Sequence, residues 1–235
     1  MGGVPRVKDS LKRLASRLPV TWQQGLKRSY LRRKIRRGEF RPDEPEFDLL
    51  PELIREGDWV LDIGANIGHY TLRFSELVGA SGRVVAFEPI PATFELLAAN
   101  VRLAAHPNVS LLNAAASDST REARMAIPRF ERTGLANYYQ AHLSDESEGM
   151  GVLCMPVDAL SLPGRVTLVK IDAEGHELPV VEGMKRLLGR DRPALIVEDS
   201  GPTVGECLAA MGYHHEKIPG SPNRLFRPAR SGRPT

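Results

Sequence analysis

The stretch DWVLDIGANIG, from Asp58 to Gly68, restricts the possible folds of this chain more than any other part of it. Its apolar run from Trp59 to Ile63 is too short for a free-standing helix and is rich in β-branched and aromatic residues, which indicates a buried strand. Gly64 and Gly68 then permit a tight turn and a close approach of a ligand to the backbone. The next residues, HYTLRFSELV, carry apolar side chains at helical spacing. The stretch therefore predicts the strand, turn and helix that open a nucleotide-binding α/β unit.

The spacing within this turn separates two classes of ligand. A dinucleotide fingerprint needs glycine at the first, third and sixth positions, but Asn66 occupies the third and His69 the sixth. Counting from the acid of the strand instead places Asp62, Gly64, Asn66 and Gly68 at every second position. An acid at the end of the strand attracts the amino group of a methionine-like ligand and repels a pyrophosphate. The turn thus favours S-adenosylmethionine.

Composition is ordinary for a soluble globular protein, with 42% apolar and 26% charged residues among 235. This length suits one α/β domain with a complete core. Cys154 and Cys207 have no partners at metal-ligand spacing, so we expect two reduced thiols, which suits a reducing cytoplasm. The sequence has no continuous apolar stretch as long as a signal peptide core or a membrane span. We therefore expect a cytoplasmic protein.

Charge divides the chain into an arm and a body. Residues 1–37 contain 12 Lys and Arg and a single acid, a net charge of +11, whereas the remainder holds 20 basic and 28 acidic residues, a net charge of −8. We predict three parts: a basic helical arm at 1–40, a single domain at 41–228 and a disordered tail at 229–235.

The arm has two apolar stripes at helical spacing, which predict two short amphipathic helices on either side of Pro19. The stripes consist of Leu11, Leu14 and Leu18, and of Trp22, Leu26 and Tyr30. We expect these faces to dock on the body while the charges stay in water. The alternative is peripheral contact with an anionic membrane at its inner face. No aromatic-rich nucleic-acid motif accompanies the charges, so nucleic acid is not an expected partner.

The rest of the chain alternates strands and helices, which predicts a mainly parallel sheet. A connector from Arg41 to Pro51 leads into a short helix at 49–55. Further strands are predicted at 83–88, 109–115, 166–172 and 194–198. Helices are predicted from Pro91, around Val181, Met184 and Leu188, and at 204–211. Residues 213–218 and 224–227 form a closing hairpin. The segment 121–150 breaks this rhythm, so we predict an insertion of short strands and loop across the site, followed by an extended segment at 153–160.

Acidic residues end several of the predicted strands. Glu88 ends the second strand 20 residues after Gly68, a spacing that suits a carboxylate accepting hydrogen bonds from both ribose hydroxyls. Asp118 closes the third strand and is assigned to the same cofactor site. After the strand at 166–172 come Asp172, Glu174, His176 and Glu177. In an open α/β sheet these side chains face the crevice at the carboxyl ends of the strands.

A carboxylate or an imidazole at this edge can act as a general base, for which Asp172 and His176 are the candidates. His176 has the alternative role of a polar surface residue. Glu174 and Glu177 have the alternative role of capping the following helix. A cluster of Asp172, Glu174 and Glu198 could also hold a divalent cation, but no His or Cys spacing supports it, so we predict no metal.

Three blocks of sequence, VLDIGANIGHYT, VVAFEPIP and VKIDAEGHELPVVEGM, resemble the signature blocks of the FkbM family of S-adenosylmethionine-dependent methyltransferases. The resemblance covers about residues 47–199, and the basic arm ending in RRGEF is also similar to what precedes the fold in that family. It implies a Rossmann-like, seven-stranded class I methyltransferase sheet with an antiparallel last strand and helices on both faces. The resemblance marks Asp62, Gly64, Asn66 and Gly68 as the methionine-side turn, Glu88 as the ribose ligand, and Asp172 with Glu174 as the site after the fourth strand.

The resemblance also implies methyl transfer, usually to a hydroxyl group of a sugar, a glycolipid or a secondary metabolite. We therefore expect an O-methyltransferase with a small-molecule, glycan or glycolipid acceptor. Two alternatives stay open from the sequence. One is an NAD-dependent oxidoreductase on a doubly wound sheet, and the other is a protein that binds S-adenosylmethionine without turnover.

Overall fold

The structure is a computed structural model, and it describes residues 20–128, 136–144, 149–198 and 201–229. In chain order the helices are α1 (Val20–Arg36), α2 (Glu46–Leu53), α3 (His69–Val78), α4 (Pro91–Val101), α5 (Glu177–Glu182), α6 (Lys185–Asp191) and α7 (Pro202–Ala210). The strands are β1 (Trp59–Ile63), β2 (Arg83–Phe87), β3 (Val109–Leu112), β4 (Ala115–Ala116), β5 (Arg121–Ala126), β6 (His142–Ser144), β7 (Met150–Met155), β8 (Val166–Ile171), β9 (Ala194–Glu198), β10 (Tyr213–Lys217) and β11 (Asn223–Pro228).

Seven strands form the main sheet, in the order β10-β11-β9-β8-β1-β2-β3. The pairs that join β9, β8, β1, β2 and β3 are parallel, and β11 is antiparallel to both β9 and β10. This topology confirms the predicted class I methyltransferase sheet with its antiparallel last strand. Because β1 and β2 are buried from their second residue onward, they read as nearly continuous apolar runs.

Helices cover both faces of this sheet, as predicted. One apolar cluster includes Met184, Leu188 and Leu208 from the chain around α6 and α7. The other cluster includes Leu50 from α2 and Phe74 from α3. The two layers leave the carboxyl ends of β1, β2 and β8 as the shared edge at which the glycine turn begins.

The turn after β1 is held between its neighbouring strands by backbone hydrogen bonds. The N–H groups of Gly64 and Ala65 donate to the carbonyl oxygen of Phe87 at 3.0 and 2.9 Å, and the N–H of Asp172 donates to that of Ile63 at 3.1 Å. Gly64 has a positive φ of 77°, and a Cβ there would lie 1.8 Å from the carbonyl oxygen of Asp172. A side chain at this position is therefore excluded by both conformation and space.

The insertion between β3 and β8 forms a second sheet in the order β4-β7-β5-β6. Apolar side chains of this sheet and of the segment beside it, Met125, Ala141 and Val152, pack against Ile90, which follows β2. The prediction of short strands lying across the site is thus confirmed in the described residues. Residues 129–135 and 145–148 of the insertion lie outside them.

Several predicted elements have different boundaries, and the helix predicted at 49–55, for example, is α2 (Glu46–Leu53). The strand predicted at 109–115 ends at Leu112, because the amide of Asn113 donates to the carbonyl oxygens of Glu88 and Pro89 and the chain then joins the second sheet. The single helix predicted through Met184 is two helices, α5 and α6, which are interrupted at Gly183. The extended segment predicted to reach residue 160 ends at Met155 and is followed by a 3₁₀ turn.

Helix α1 confirms the second predicted helix of the arm, but the predicted docking face is wrong. The side chains of Trp22, Leu26 and Tyr30 are 67, 57 and 60% exposed. Instead, Leu31 and Ile35 pack into a cluster with Phe40, Ile67 and Leu96. The stripe of Leu11, Leu14 and Leu18 lies outside the described residues, as does the tail from residue 230. Among the helices that the structure describes, none is both long enough and apolar enough to cross a membrane.

Gly183 gives a test of the packing of the α5–α6 junction against the chain that follows β4. A Cβ at Gly183 would lie 1.8 Å from the backbone oxygen of Ser117, whereas nothing lies within 4 Å of a Cβ at Gly189. We expect Gly183→Ala to lower the free energy of unfolding by about 1–3 kcal/mol, because backbone atoms must shift. The matched control, Gly189→Ala in α6, should be neutral or stabilising by up to ~1 kcal/mol. Denaturant unfolding of both variants is the measurement, and equal stabilities would contradict the packing described.

Candidate active site

Asp62 lies in β1 and is buried below the glycine turn, with 1% of its surface exposed. Its Oδ2 accepts a hydrogen bond of 2.5 Å from the hydroxyl of Thr71 in α3, while its Oδ1 has no hydrogen-bond partner among the described residues. Burial raises the pKa of Asp62 to about 6, although Lys170 and Thr71 oppose this shift. The unpartnered oxygen leaves Asp62 with a free acceptor for a cationic or hydrogen-bond-donating group.

Lys170 in β8 is a part of the site that the sequence reasoning missed. Its side chain is 3% exposed, its Nζ lies 2.7 Å from Asp172 Oδ2, and the same Nζ lies 4.5 Å from the ring centre of Tyr70. The hydroxyl of Tyr70 donates in turn to Glu44 Oε2 at 2.6 Å. Burial acts to lower the pKa of Lys170, but the carboxylates of Asp172 and Asp62 outweigh it and the pKa is raised. The sequence did contain a signal for this residue, because Lys170 lies inside the apolar run VTLVKI of a buried strand. A charge buried in this way needs a partner of opposite charge.

Glu88 is placed where the sequence predicted, just after β2 and against the glycine turn. Its Oε2 accepts from the N–H of Asn66 at 2.9 Å, and its Oε1 accepts from the N–H of Ile90 at 3.0 Å. Burial raises the pKa of Glu88 to about 7. Each carboxylate oxygen keeps a lone pair beyond these bonds, so the group can still accept hydrogen bonds from two ribose hydroxyls.

The loop after β8 is shaped by Glu177. This residue is fully buried, and its Oε1 accepts from the N–H groups of Ala173 and Gly175, both at 3.1 Å. Glu177 therefore holds the loop that precedes α5, but it accepts no N–H of the helix itself, so the capping role weighed from the sequence is not the one that the structure shows. Asp172, Glu174 and His176 all line the crevice as a result.

His176 contacts a polar cluster on the second sheet. Its Nε2 lies 2.9 Å from Ser117 Oγ, which donates to Asp118 Oδ1 at 3.0 Å and accepts from Arg121 Nη1 at 3.1 Å. Because the one hydroxyl proton of Ser117 goes to Asp118, this network assigns the ring proton to Nε2 of His176. Burial and the nearby Arg121 lower the pKa of His176. The network thus fits an Nε2–H that donates to Ser117, and the lowered pKa favours the neutral ring, in which Nδ1 carries the lone pair.

The structure brings most, but not all, of the sequence-predicted residues to one cavity. Its walls include Gly64, Asn66 and Glu88, the three residues after β8, and the apolar side chains Met125, Tyr138, Ala141 and Leu143 of the insertion. Asp62 and Asp118 are not among the residues that line the cavity. Asp62 is buried in β1, and Asp118 is about half exposed and pairs with Arg121 at 2.9 Å. Gly68 lies against α4, where a Cβ would come within 2.7 Å of Leu97 Cδ1. Its role in the described residues is therefore helix packing.

Three carboxylates meet at one end of the crevice. Oxygen atoms of Asp172, Glu174 and Glu198 all lie within 4.8 Å of one another. Burial raises the pKa of Glu198 to about 7, and Asp172 and Glu174 add to the shift. Such oxygen donors suit a hard divalent cation, but exposed acidic groups are also common without one. The expectation that no metal is used stays a prediction.

A family model described as the methyltransferase FkbM domain matches residues 62–218. The chain belongs to the FkbM methyltransferase family. This membership confirms the resemblance seen in the sequence blocks, and it favours methyl transfer over the hydride transfer weighed as an alternative. The cofactor of this methyltransferase is S-adenosylmethionine.

Three known proteins show how far the likeness extends. Hexuronic acid methyltransferase AglP of Haloferax volcanii is 31% identical over 153 residues, which are 64% of this chain and 59% of AglP. Protein-L-isoaspartate O-methyltransferase of Methanothrix thermoacetophila is 39% identical over 59 residues, 25% of this chain and 28% of that enzyme. The crystal structure of the methyltransferase FkbM from Methylobacillus flagellatus KT shares the fold, with a TM-score of 0.52 at 18% identity over 78% of this chain and 50% of that one. The chain therefore spans little more than half the length of AglP and half of that FkbM chain.

The residues of the crevice fit S-adenosylmethionine in both shape and charge. Gly64 and Asn66 let a ligand approach the backbone, and the buried Glu88 offers acceptors for a ribose. The carboxylate of Asp172 lines the crevice and supplies negative charge for the ammonium or sulfonium group, and the buried Asp62 adds to this charge from behind the lining. A pyrophosphate would meet the same carboxylates and be repelled.

Glu88 allows a test of the cofactor assignment by pH. Hydroxyl donors favour the ionised carboxylate, whereas the buried acid holds its proton up to a pKa of about 7. Affinity for S-adenosylhomocysteine should therefore fall as the pH falls through this value. Glu88→Gln should weaken binding by about 1–3 kcal/mol and flatten the dependence on pH. Titration calorimetry over this pH range is the measurement, with the exposed Glu95→Gln of α4 as the control. A pH dependence unchanged in Glu88→Gln would remove Glu88 from the ribose site.

Lys170 allows a test of the buried charge cluster. Lys170→Met leaves the buried Asp62 and the partly exposed Asp172 without their cation, and we expect a loss of about 3–5 kcal/mol of unfolding free energy, mainly from Asp62. The loss should shrink as the pH falls below about 6, since Asp62 is then protonated. Lys185→Met, which removes an exposed ion pair with Glu182, should cost at most about 1 kcal/mol. Denaturant unfolding at two pH values distinguishes these outcomes, and a neutral Lys170→Met variant would contradict the role described.

Proposed function

We propose that this FkbM-family protein transfers a methyl group from S-adenosylmethionine to a hydroxyl oxygen of a sugar or a sugar-bearing acceptor. The observation that carries the proposal is the meeting, in one crevice, of the cofactor-side residues Gly64, Asn66 and Glu88 with Asp172 and His176. S-adenosylmethionine, when bound, supplies an activated methyl group on a sulfonium. The protein therefore needs no covalent nucleophile, and its residues bind, orient and deprotonate.

On the acceptor side, His176 is our candidate for the general base. Its lowered pKa keeps the imidazole neutral at physiological pH, and the Ser117 network leaves Nδ1 free to accept a proton from an acceptor hydroxyl. Asp172 is less available for this step, because its Oδ2 is already paired with Lys170 at 2.7 Å. We assign Asp172 to electrostatic positioning.

The insertion contributes the wall that excludes water. Met125, Tyr138, Ala141 and Leu143 line the crevice opposite the residues that follow β8. An apolar wall strengthens the electrostatic interactions inside the crevice and protects the transferred methyl group from water. A wall built by an insertion also suits a role in acceptor selection.

The acceptor class rests on two considerations. The relative AglP is a hexuronic acid methyltransferase, which supports a sugar acceptor. However, the carboxylates of Asp172, Glu174 and Glu198 would repel an acidic sugar when they are ionised. We therefore propose a neutral sugar hydroxyl as the acceptor. Transfer of tritiated methyl to a panel of matched hexoses, hexuronic acids and glycolipids tests this proposal, since a faster rate with the hexuronic acids would overturn it. The absence of any labelled product in a broad panel would favour a protein that binds the cofactor without turnover.

Substitution of His176 tests the proposed base once an acceptor is known. His176→Gln should lower kcat and kcat/KM together by about 10²- to 10⁴-fold, because the base acts in the transition state. Affinity for S-adenosylhomocysteine should change little. The exposed His214→Gln of β10 serves as the control and should leave turnover unchanged. Full turnover by His176→Gln, together with a large loss in Asp172→Asn, would transfer the role to Asp172.

A further inference from the structure

Helix α1 docks through one face and presents a second apolar stripe to solvent. Leu31 and Ile35 make the docked face, in contact with Phe40, Ile67 and Leu96. The stripe of Trp22, Leu26 and Tyr30, spaced four residues apart, lies on another side of the helix. These are three of the four large apolar side chains that are mainly exposed in the described residues. Two aromatic rings and a leucine in one row are more than the scattered apolar residues that a soluble surface carries.

The same helix is strongly basic. Between Val20 and Arg36 it contains six Lys and Arg and no acid. Arg33 follows Tyr30 by three residues and Leu26 by seven, which places its exposed side chain on the same side as the stripe. The exposed Arg36 lies one turn further along the helix. The outward side of α1 thus combines apolar side chains with positive charge.

We propose that this outward side of α1 binds the surface of an anionic lipid bilayer. The pattern of an apolar and aromatic row with flanking Lys and Arg suits a helix that lies in the plane of a membrane interface. Trp and Tyr favour this depth because their rings are apolar and their N–H and O–H groups are polar. A nucleic acid would satisfy the charges but would leave Leu26 in water. The composition of the stripe therefore favours lipid over another polyanion.

The place of α1 in the fold sets the orientation on the membrane. Phe40, which closes the docked cluster, stacks on His69 with ring centres 4.2 Å apart. His69 is the first residue of α3 and directly follows the glycine turn. Helix α1 also packs along α4, which follows the Glu88 segment. Helix α1 therefore docks beside the carboxyl edge of the sheet, and we infer that a bilayer bound to its outward side lies on the same part of the molecule as the crevice.

The test measures binding of the full chain to vesicles and does not depend on methyl transfer. The chain should co-sediment with vesicles of phosphatidylcholine mixed with phosphatidylglycerol, and much less with phosphatidylcholine alone. Binding should weaken as salt is raised, because the Debye length falls to about 10 Å at 0.1 M. Trp22→Ala, Leu26→Ala and Tyr30→Ala should each weaken partitioning by about tenfold. Arg33→Gln should weaken it by about fivefold. The matched control is Leu153→Ala in β7, which removes the fourth of the large exposed apolar side chains found in the described residues.

A single-tryptophan reporter shows whether the stripe itself enters the interface. The chain has two tryptophans, Trp22 and Trp59, so Trp59→Phe leaves Trp22 as the sole reporter. Its emission should shift to the blue on anionic vesicles and should be quenched by lipids brominated on their acyl chains. Equal sedimentation of the wild type and the three stripe variants would overturn the proposal, as would an unchanged Trp22 emission. Tighter binding to an oligonucleotide that survives Trp22→Ala would assign the helix to a nucleic acid instead.

Discussion

The ion pair between Lys170 and Asp172 holds together the charges on which this site depends. A crevice that binds a cationic cofactor needs several carboxylates at one sheet edge, and these carboxylates repel one another. Lys170 is paired in register with Asp62 across β8 and β1, and its ammonium lies 2.7 Å from Asp172. One buried cation thus offsets two acids of neighbouring strands. The contact of its ammonium with the ring of Tyr70 adds a cation–π interaction in place of the lost hydration.

The two ends of the crevice are built by different physical means. At the cofactor end, backbone groups make the shape, since Gly64 touches the carbonyl oxygen of Asp172 and the N–H of Asn66 bonds to Glu88. At the acceptor end, side chains make the shape of the crevice. They are the apolar side chains of the insertion and His176, which contacts Ser117. A backbone site tolerates few substitutions, whereas a side-chain site can be changed one residue at a time. This difference would allow the cofactor end to stay the same while the acceptor end changes.

The parts of the fold and site that could be predicted are those encoded in local sequence. The short apolar run of β1 and the position of Glu88 just after β2 follow from local composition and chain spacing, and the structure has both in the predicted places. The ribose role of Glu88 stays a prediction. The partners of Lys170 and of Ser117 depend on which parts of the chain become neighbours in the fold. No local sequence pattern predicts these neighbours. Helix α1 shows the same limit, because Trp22, Leu26 and Tyr30 form as good a helical stripe as the residues around Leu31. Only tertiary contacts decide which stripe is buried.

The insertion leaves and rejoins the main fold through adjacent strands, since Ala115 pairs with Cys154 and Ala116 with Met155. Strand pairing therefore holds the two ends of the insertion side by side, independently of the residues between them. Closing a longer or shorter loop over such a fixed base changes the entropic cost only slowly with length. The segment between β4 and β7 can thus be replaced by one of another length or sequence while the paired ends stay in place. Evolution, or a protein engineer, can replace it to alter the acceptor wall while the strands that carry Asp62, Glu88 and Lys170 keep their register.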